Sequence, residues 1–160
     1  MKSLGLLIEG KSIKVAVISQ VKNNLTLERL EEFNEIPHQL LQNKNLRIVT
    51  GLAAEDVVRR EITVKLTRQE ALLKTLPFQL ESLLPFSLEE TVVHPFFFPH
   101  KDKTDVVAYA TTRLALKKHL ASLHEKGVDP DQISSIPVAL ARWLRFIFPG
   151  QFSSDRKSVV

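Results

Sequence analysis

The sequence contains no cysteine, one methionine, one tryptophan, one tyrosine and only five glycines in 160 residues. Without cysteine there are no disulfides, no thiolate metal sites and no thiol catalysis, a composition that fits a reducing compartment. Long apolar runs are missing too. A bilayer-spanning helix needs roughly 18–20 consecutive apolar residues, and the closest approach, Ile133 to Phe148, is interrupted by Arg142 and Arg145. No signal peptide is read either, because Glu9 and Lys11 break the apolar run that follows Lys2. The expectation is a soluble, cytosolic chain. Charge of one sign is also scarce: 22 basic against 18 acidic residues leave a formal net charge of +4, and no block of five like charges occurs. That dispersal argues against a nucleic-acid footprint.

Catalytic signatures are equally thin. No nucleophile-elbow motif occurs, and no Ser-His-Asp arrangement is evident. Glu31-Glu32 and Glu89-Glu90 are adjacent pairs that read as solvated. The five histidines, His38, His94, His100, His119 and His124, show no metal-ligand spacing; His119 and His124 are five apart and do not share a helix face. No metal site is expected.

What is present is patterning. Hydrophobic residues make up 44% of the chain, enough for a buried core, and the length suits one domain or two small lobes. The most organised stretch runs from Leu66 to Phe98. Thr67 and Glu70 have capping-box spacing, and Leu72, Leu73, Leu76, Leu80, Leu83 and Leu84 recur at helical steps. Pro85 should end this helix and Pro77 should kink or split it. Thr91 to Phe98, β-branched and aromatic, reads as a strand.

Before this stretch, Leu4 to Ile8 and Ile13 to Ile18 read as a hairpin turned at Gly10. Leu25 to Phe33 reads as a third strand, with a helix start as the alternative. Ile36 to Leu46 reads ambiguously, with Pro37 able to sit at the first turn of a short helix through Leu40 and Leu41, and Leu46 to Leu52 and Val57 to Val64 read as strands. After it, Asp105 to Thr111 reads as a strand buried on both faces, and Leu114 to Lys126 as a helix closed by Gly127. Ile133 to Ile136 reads as a short strand and Val138 to Phe148 as a helix stopped by Pro149-Gly150. Ser153 to Lys157 reads as a loop and Ser158 to Val160 as a strand cut off at the chain end. Val57 to Ile136 thus follows a β-α-β-β-α-β order.

Three stretches invite a binding reading. Gly5 to Ser12 satisfies Gly-x-x-x-x-Gly-Lys-Ser literally, but that motif needs a strand before the loop and a helix after it. Here both flanks read as strand. Phe96-Phe97-Phe98, between Pro95 and Pro99, places rings on alternate faces of a strand, so one ring at least points away from the main core. It is either an apolar docking surface or a strand covered on both sides. Arg59, Arg60, Lys65 and Arg68 cluster in sequence; a charged strand edge is the default, and contact with an acidic partner or a lipid headgroup is the sharper reading.

Several stretches together resemble one family. Leu4 to Ile8 with Ser12 to Val15 is similar to the opening hairpin of the cytoplasmic actin-like proteins of type IV pilus platforms, the PilM family. Arg60-Glu61-Ile62 resembles that family's Arg-Glu-Ile strand. Leu83-Leu84-Pro85-Phe86-Ser87-Leu88-Glu89-Glu90 resembles its Tyr-Ile-Pro-Phe-Pro-Leu-Glu-Glu signature. Asp105 to Thr111, Gly127 to Pro130 and Ile136 to Arg142 follow in the family's order. The relatives include FtsA and the cytoplasmic part of GspL in type II secretion.

The resemblance implies an α/β (α+β) fold: a partial actin-like, RNase H-like lobe with an inserted β-α-β-β-α-β subdomain. The implied division is residues 1–56 for the start of the lobe, 57–136 for the insertion and 137–160 for the return helix. A second lobe would follow. The family's first turn reads Asp-Ile-Gly-Ser-Ser-Ser and closes on nucleotide phosphates; here Leu7 stands for the aspartate and Glu9 for the glycine. Those departures argue against ATP, so no cofactor is expected.

The function implied is a non-enzymatic scaffold at the cytoplasmic face of the inner membrane, peripheral to it through its partners. The alternative is a nucleotide-binding actin-like ATPase related to FtsA. The family binds a short N-terminal segment of a PilN-like or GspM-like membrane protein in a groove between lobe and insertion, and it contacts the assembly ATPase. The resemblance also admits a homodimer. Arg60, Phe86, Phe96, Phe97 and Phe98 are the candidate partner-binding residues.

Overall fold

A computed structural model of the chain describes residues 1–22, 24–42 and 45–148. The stop at Pro149-Gly150, the loop Ser153–Lys157 and the strand Ser158–Val160 lie outside the described residues. The chain divides into two compact units: residues 1–52 with 118–139, and residues 53–117 with 140–148 among those described.

The first unit is built on a mixed five-stranded sheet. Strands β1 (Lys2–Glu9), β2 (Ser12–Val21) and β3 (Asn24–Phe33) form an antiparallel meander. The β1–β2 turn is Gly10-Lys11, and Gly10 sits at φ +60°, the region glycine enters without a Cβ penalty. The stretch from Leu25 is strand, not helix. A four-residue helix α1 (His38–Leu41) follows Pro37 and leads to β4 (Leu46–Leu52), which pairs parallel to β1.

The strand expected at Ile133 is β8 (Gln132–Ser135), and it pairs parallel to β4, with Val49 opposite Gln132, to give the order β3-β2-β1-β4-β8. One face of this sheet carries the core. Leu4, Leu6, Ile13, Val15 and Val17 are buried there with Leu46, Leu123 and Val128. Asp131 fastens the end of β8 by accepting from the Ile48 N–H at 2.7 Å.

The second unit holds a three-stranded antiparallel sheet in the order β5-β7-β6, made of β5 (Val58–Val64), β6 (Thr91–Pro99) and β7 (Thr104–Thr112). Central β7 is buried along almost its whole length, as its run of small and β-branched residues implies. Helix α2 (Gln69–Glu81) buries Leu72, Leu76 and Leu80. Leu76 and Leu80 form a cluster with Val106 and Ala108, against which Ile62, Val64, Leu84, Val93 and Phe97 pack.

Three expectations for α2 are corrected. There is no capping box: Arg68 holds the N-cap position and no side chain caps it. Thr67 is one residue too early. The entry to the helix is instead tied to the sheet, where the Thr104 hydroxyl donates to the Leu66 carbonyl at 2.7 Å. The helix is not split at Pro77 but runs through it as one element, because Pro77 lies on its exposed side and water can take the Leu73 carbonyl that loses its partner. It also ends at Glu81, four residues before Pro85, so Leu83 and Leu84 belong to the turn that follows.

Helix α3 (Arg113–His124) ends as expected at Gly127, with φ +72° and its N–H donating to the His124 carbonyl at 2.9 Å. Helix α4 (Ile136–Ile147) begins at Ser135, whose Oγ accepts from the Val138 N–H at 3.4 Å.

Candidate functional site

The face assignments on the three-stranded sheet separate the three phenylalanines. Phe97 pairs with Val106 and packs into the α2 cluster. Phe96 and Phe98 therefore lie on the opposite face, with His94. On that face Phe96 meets the His94 ring edge-on, centroids 5.0 Å apart, and the Tyr109 ring edge-on at 5.9 Å. Phe98 lies opposite Asp105. All three phenylalanines are half-buried, and Val92 and His94 beside them are exposed. The result is an aromatic strip along an edge strand.

That edge resists strand addition. Pro95 and Pro99 each lack an N–H, so β6 offers an interrupted row of donors to an added strand. Recognition on this face would go through side chains.

Arg60 lies on the other face, the α2 side, and is held locally. Its Nε donates to the Leu83 carbonyl at 2.6 Å and its Nη1 to the Arg59 carbonyl at 2.9 Å. The first bond ties down the turn just beyond the C-terminus of α2, where carbonyls lack helical partners. Phe86 is half-buried in the segment between this turn and β6. Arg59 pairs with Glu61 on edge strand β5. The basic cluster is thus dispersed: Arg59 and Arg60 lie on opposite faces of β5, Lys65 follows the strand and Arg68 is the N-cap residue of α2.

At the far end of the same sheet, Asp105 accepts from the Thr63 hydroxyl at 2.7 Å and pairs with His100 Nε2 at 2.7 Å. The Thr63 hydrogen bond first, and His100 second, hold its carboxyl below the usual carboxylate range.

The first turn is a strand-to-strand hairpin, so the literal phosphate-loop pattern at residues 5–12 has no helix after it. Glu9 takes Lys14 Nζ at 2.7 Å, and this hydrogen bond raises the Lys14 pKa. The Ser12 hydroxyl donates to Glu32. A phosphate approaching this turn would meet two carboxylates, with Lys14 and the Ser12 hydroxyl already engaged by them. His119 lies 3.2 Å from the Thr50 hydroxyl, and no cluster of three metal-ligating side chains exists among the described residues.

Two apolar surfaces were not singled out from the sequence. Leu140, Trp143, Leu144 and Ile147 on α4 are all exposed, as are Leu25, Leu27 and Leu30 on β3. The first carries a readable signal, the three- and four-residue spacing of one helix face. The second does not, because β3 alternates only in part and its register shifts at the bulge opposite Val17 and Ile18.

Comparison with known proteins adds the fold. No family model and no curated protein matches the chain. Among solved structures, the chain is similar to a chain of the PilM–PilN type IV pilus biogenesis complex, with a TM-score of 0.72 and 20% identity over 91% of its length. It spans 51% of that chain, about half. It is also similar to the cytoplasmic domain of EpsL, an inner-membrane component of the type II secretion system of Vibrio cholerae, with a TM-score of 0.60, 16% identity and coverage of 100% of this chain and 80% of that one. The fold is therefore shared with these two structures: a mixed α+β arrangement with two sheets, in which the last strand read as part of the β-α-β-β-α-β insertion, β8, joins the five-stranded sheet instead. No helix among the described residues is long and apolar enough to cross a membrane.

Proposed function

We propose that this chain is a component of the inner-membrane assembly platform of a type IV pilus or type II secretion system. In this reading it is a non-enzymatic scaffold. It binds a short segment of a PilN-like or GspM-like membrane protein, which keeps it at the cytoplasmic face of the inner membrane, and it passes contacts on to the assembly ATPase. The observation that carries the reading is the TM-score of 0.72, over 91% of the chain, to a chain of a complex that contains PilN.

The aromatic strip gives this reading a surface. Phe96 and Phe98, with His94 beside them, offer rings that an apolar segment can cover. Phe97 supports the strip from behind, through the α2 cluster, whereas Arg60 on β5 ties down the turn after α2. The absence of nucleotide use is also part of the proposal. Leu7 cannot organise a metal-bound water, and Glu9 would repel phosphate.

A thermal-shift experiment with two ligands tests both parts. A ligand that binds only the native state raises the midpoint by mass action, by about 2.7 kcal/mol of stability at a hundredfold excess over its dissociation constant. A synthetic PilN-like or GspM-like N-terminal segment should raise the midpoint and millimolar Mg-ATP should not. A shift with Mg-ATP alone would favour the FtsA-like ATPase reading and overturn the scaffold.

A further inference from the structure

The strand β3 is the open edge of the first unit's sheet. It has β2 on one side and no strand on the other among the described residues. Such edges are ordinarily blunted by proline, by shortness or by charges turned outward. β3 has no proline and is ten residues long. Its charges are engaged within the chain: Glu28 takes Lys2 Nζ at 2.8 Å, Glu31 takes Arg29 Nη2 at 3.1 Å and Glu32 takes the Ser12 hydroxyl. Asn24 to Leu30 are all exposed. Unlike β6, this edge keeps every backbone donor an added strand would need.

A cavity of about 170 Å³ opens against the same strand, within the first unit. Its floor is Val17, Leu40 and Leu46, part of the apolar core or packed on it, and its exposed rim is Lys2, Glu28, Arg29 and Gln39. The bulge explains why two successive residues of β3 reach it. Val17 lies opposite Arg29 and Ile18 opposite Leu27, so Glu28 is the extra residue. In a regular strand Glu28 and Arg29 would point to opposite faces; the bulge brings both to the cavity. Small-molecule sites span about 300–1,000 Å³, so this cavity suits one side chain rather than a metabolite. The floor is apolar and the rim is balanced, Lys2 against Glu28 and Arg29 against Glu31, so the side chain it suits is uncharged and aliphatic.

We propose that β3 takes an extended segment of another protein as an added strand, with one leucine-, isoleucine- or valine-like side chain of that segment seated in the cavity. Main-chain bonds along the edge supply affinity, and the cavity supplies register and selectivity. A second copy of this chain fits less well. The side chains that β3 turns to the cavity's face are Thr26, Arg29 and Glu31, opposite Ser19, Val17 and Val15, while Phe33 packs on its own core. Antiparallel pairing of two copies would set one of those three polar groups over an apolar floor. This edge lies in the first unit, apart from the aromatic strip, and the inference does not depend on the platform reading.

The test pans the full chain against a random library of peptides of about eight residues, a strand's length, and carries the enriched peptides into titration calorimetry. They should share one leucine, isoleucine or valine at a fixed place, and its change to alanine should weaken binding about tenfold. Methylating the backbone nitrogens of alternate residues should weaken binding about 100-fold for the set that faces β3 and little for the other set. Gln39 is exposed on the cavity's rim, so Gln39→Trp should fill the mouth, leave the circular dichroism unchanged and weaken binding about tenfold.

Hydrogen exchange reads the edge directly. In the free chain the outward amides of Asn24–Phe33 should exchange fast, and a bound peptide should slow them while leaving β1 and β4 unchanged. Failure to enrich any peptide would overturn the proposal, as would enriched peptides that leave β3 exchange unchanged or that bind Gln39→Trp as tightly as wild type. Slow exchange of those amides in the free chain would overturn it too, because the edge would then be taken already. Sedimentation would assign it to a second copy if the chain is a dimer and to the chain's own residues if it is a monomer.

Discussion

Phe96 and Phe97 are neighbours in sequence on opposite faces of β6, so truncating each one tests the face assignment. Phe97 packs against Leu76, Leu80, Val106 and Ala108. A fully buried phenylalanine costs about 3–5 kcal/mol when cut to alanine, lost transfer energy and cavity together. Phe97 is half-buried, so about 2–3 kcal/mol is expected for Phe97→Ala. Phe96 touches the edges of His94 and Tyr109 at 5.0 and 5.9 Å and faces solvent on its other side. An aromatic pair contributes about 0.5–1.5 kcal/mol, and water replaces the ring when it is removed, so Phe96→Ala should cost about 1 kcal/mol. With a urea slope of about 1–2 kcal/mol per molar, Phe97→Ala should lower the urea midpoint by more than about 1 M and Phe96→Ala by about half that. Far-UV circular dichroism across a urea series reads both. A larger loss for Phe96→Ala than for Phe97→Ala would refute the assignment of the faces.

Leu4 is fully buried in the first unit's core, and Leu4→Ala should cost about 2–5 kcal/mol, read as a lower urea midpoint. Gly127 holds φ +72° at the end of α3 with no atom near the position a Cβ would take; Gly127→Ala should cost about 1 kcal/mol from backbone strain alone, read as a drop of a few degrees in the melting midpoint. Asp105 has a carboxyl whose folded pKa lies below its unfolded value, chiefly through the Thr63 hydrogen bond. Its contribution to stability is therefore complete above the unfolded pKa of about 4 and is lost as pH falls through the folded value. Asp105→Asn should remove that part of the acid dependence and leave the profile near neutrality parallel to wild type, as urea midpoints measured across the acid range will show.

Local chemistry made much of the fold legible. Gly10 announces the first hairpin, Gly127 the end of α3, and the run from Val106 to Ala110 a central strand, and each is where the structure has it. The features that were not legible depend on partners far away in sequence. The Thr67–Glu70 spacing points to a capping box, but the start of α2 is tied to Thr104, 38 residues from Leu66, and the cap falls one residue later. The Leu83 and Leu84 spacing continues the helical pattern, yet the helix has already ended and Arg60 holds the Leu83 carbonyl. Nothing local to Gln132–Ser135 says that it pairs with β4, more than 80 residues away.

At the candidate site, period-two alternation gave opposite faces to Phe96 and Phe97. It could not show that Phe97 belongs to the α2 cluster, nor that Arg60 is engaged by backbone carbonyls, since both depend on where α2 docks.

Titration calorimetry of the chain with a synthetic PilN-like N-terminal segment, for wild type and for Phe96→Ala, tests the central claim most directly. The account predicts saturable one-to-one binding by the wild type that is unchanged by Mg-ATP and weakened at least about tenfold by Phe96→Ala, a loss of about 1.4 kcal/mol. Absence of heat with PilN-like and GspM-like segments alike, together with saturable binding of Mg-ATP, would contradict it.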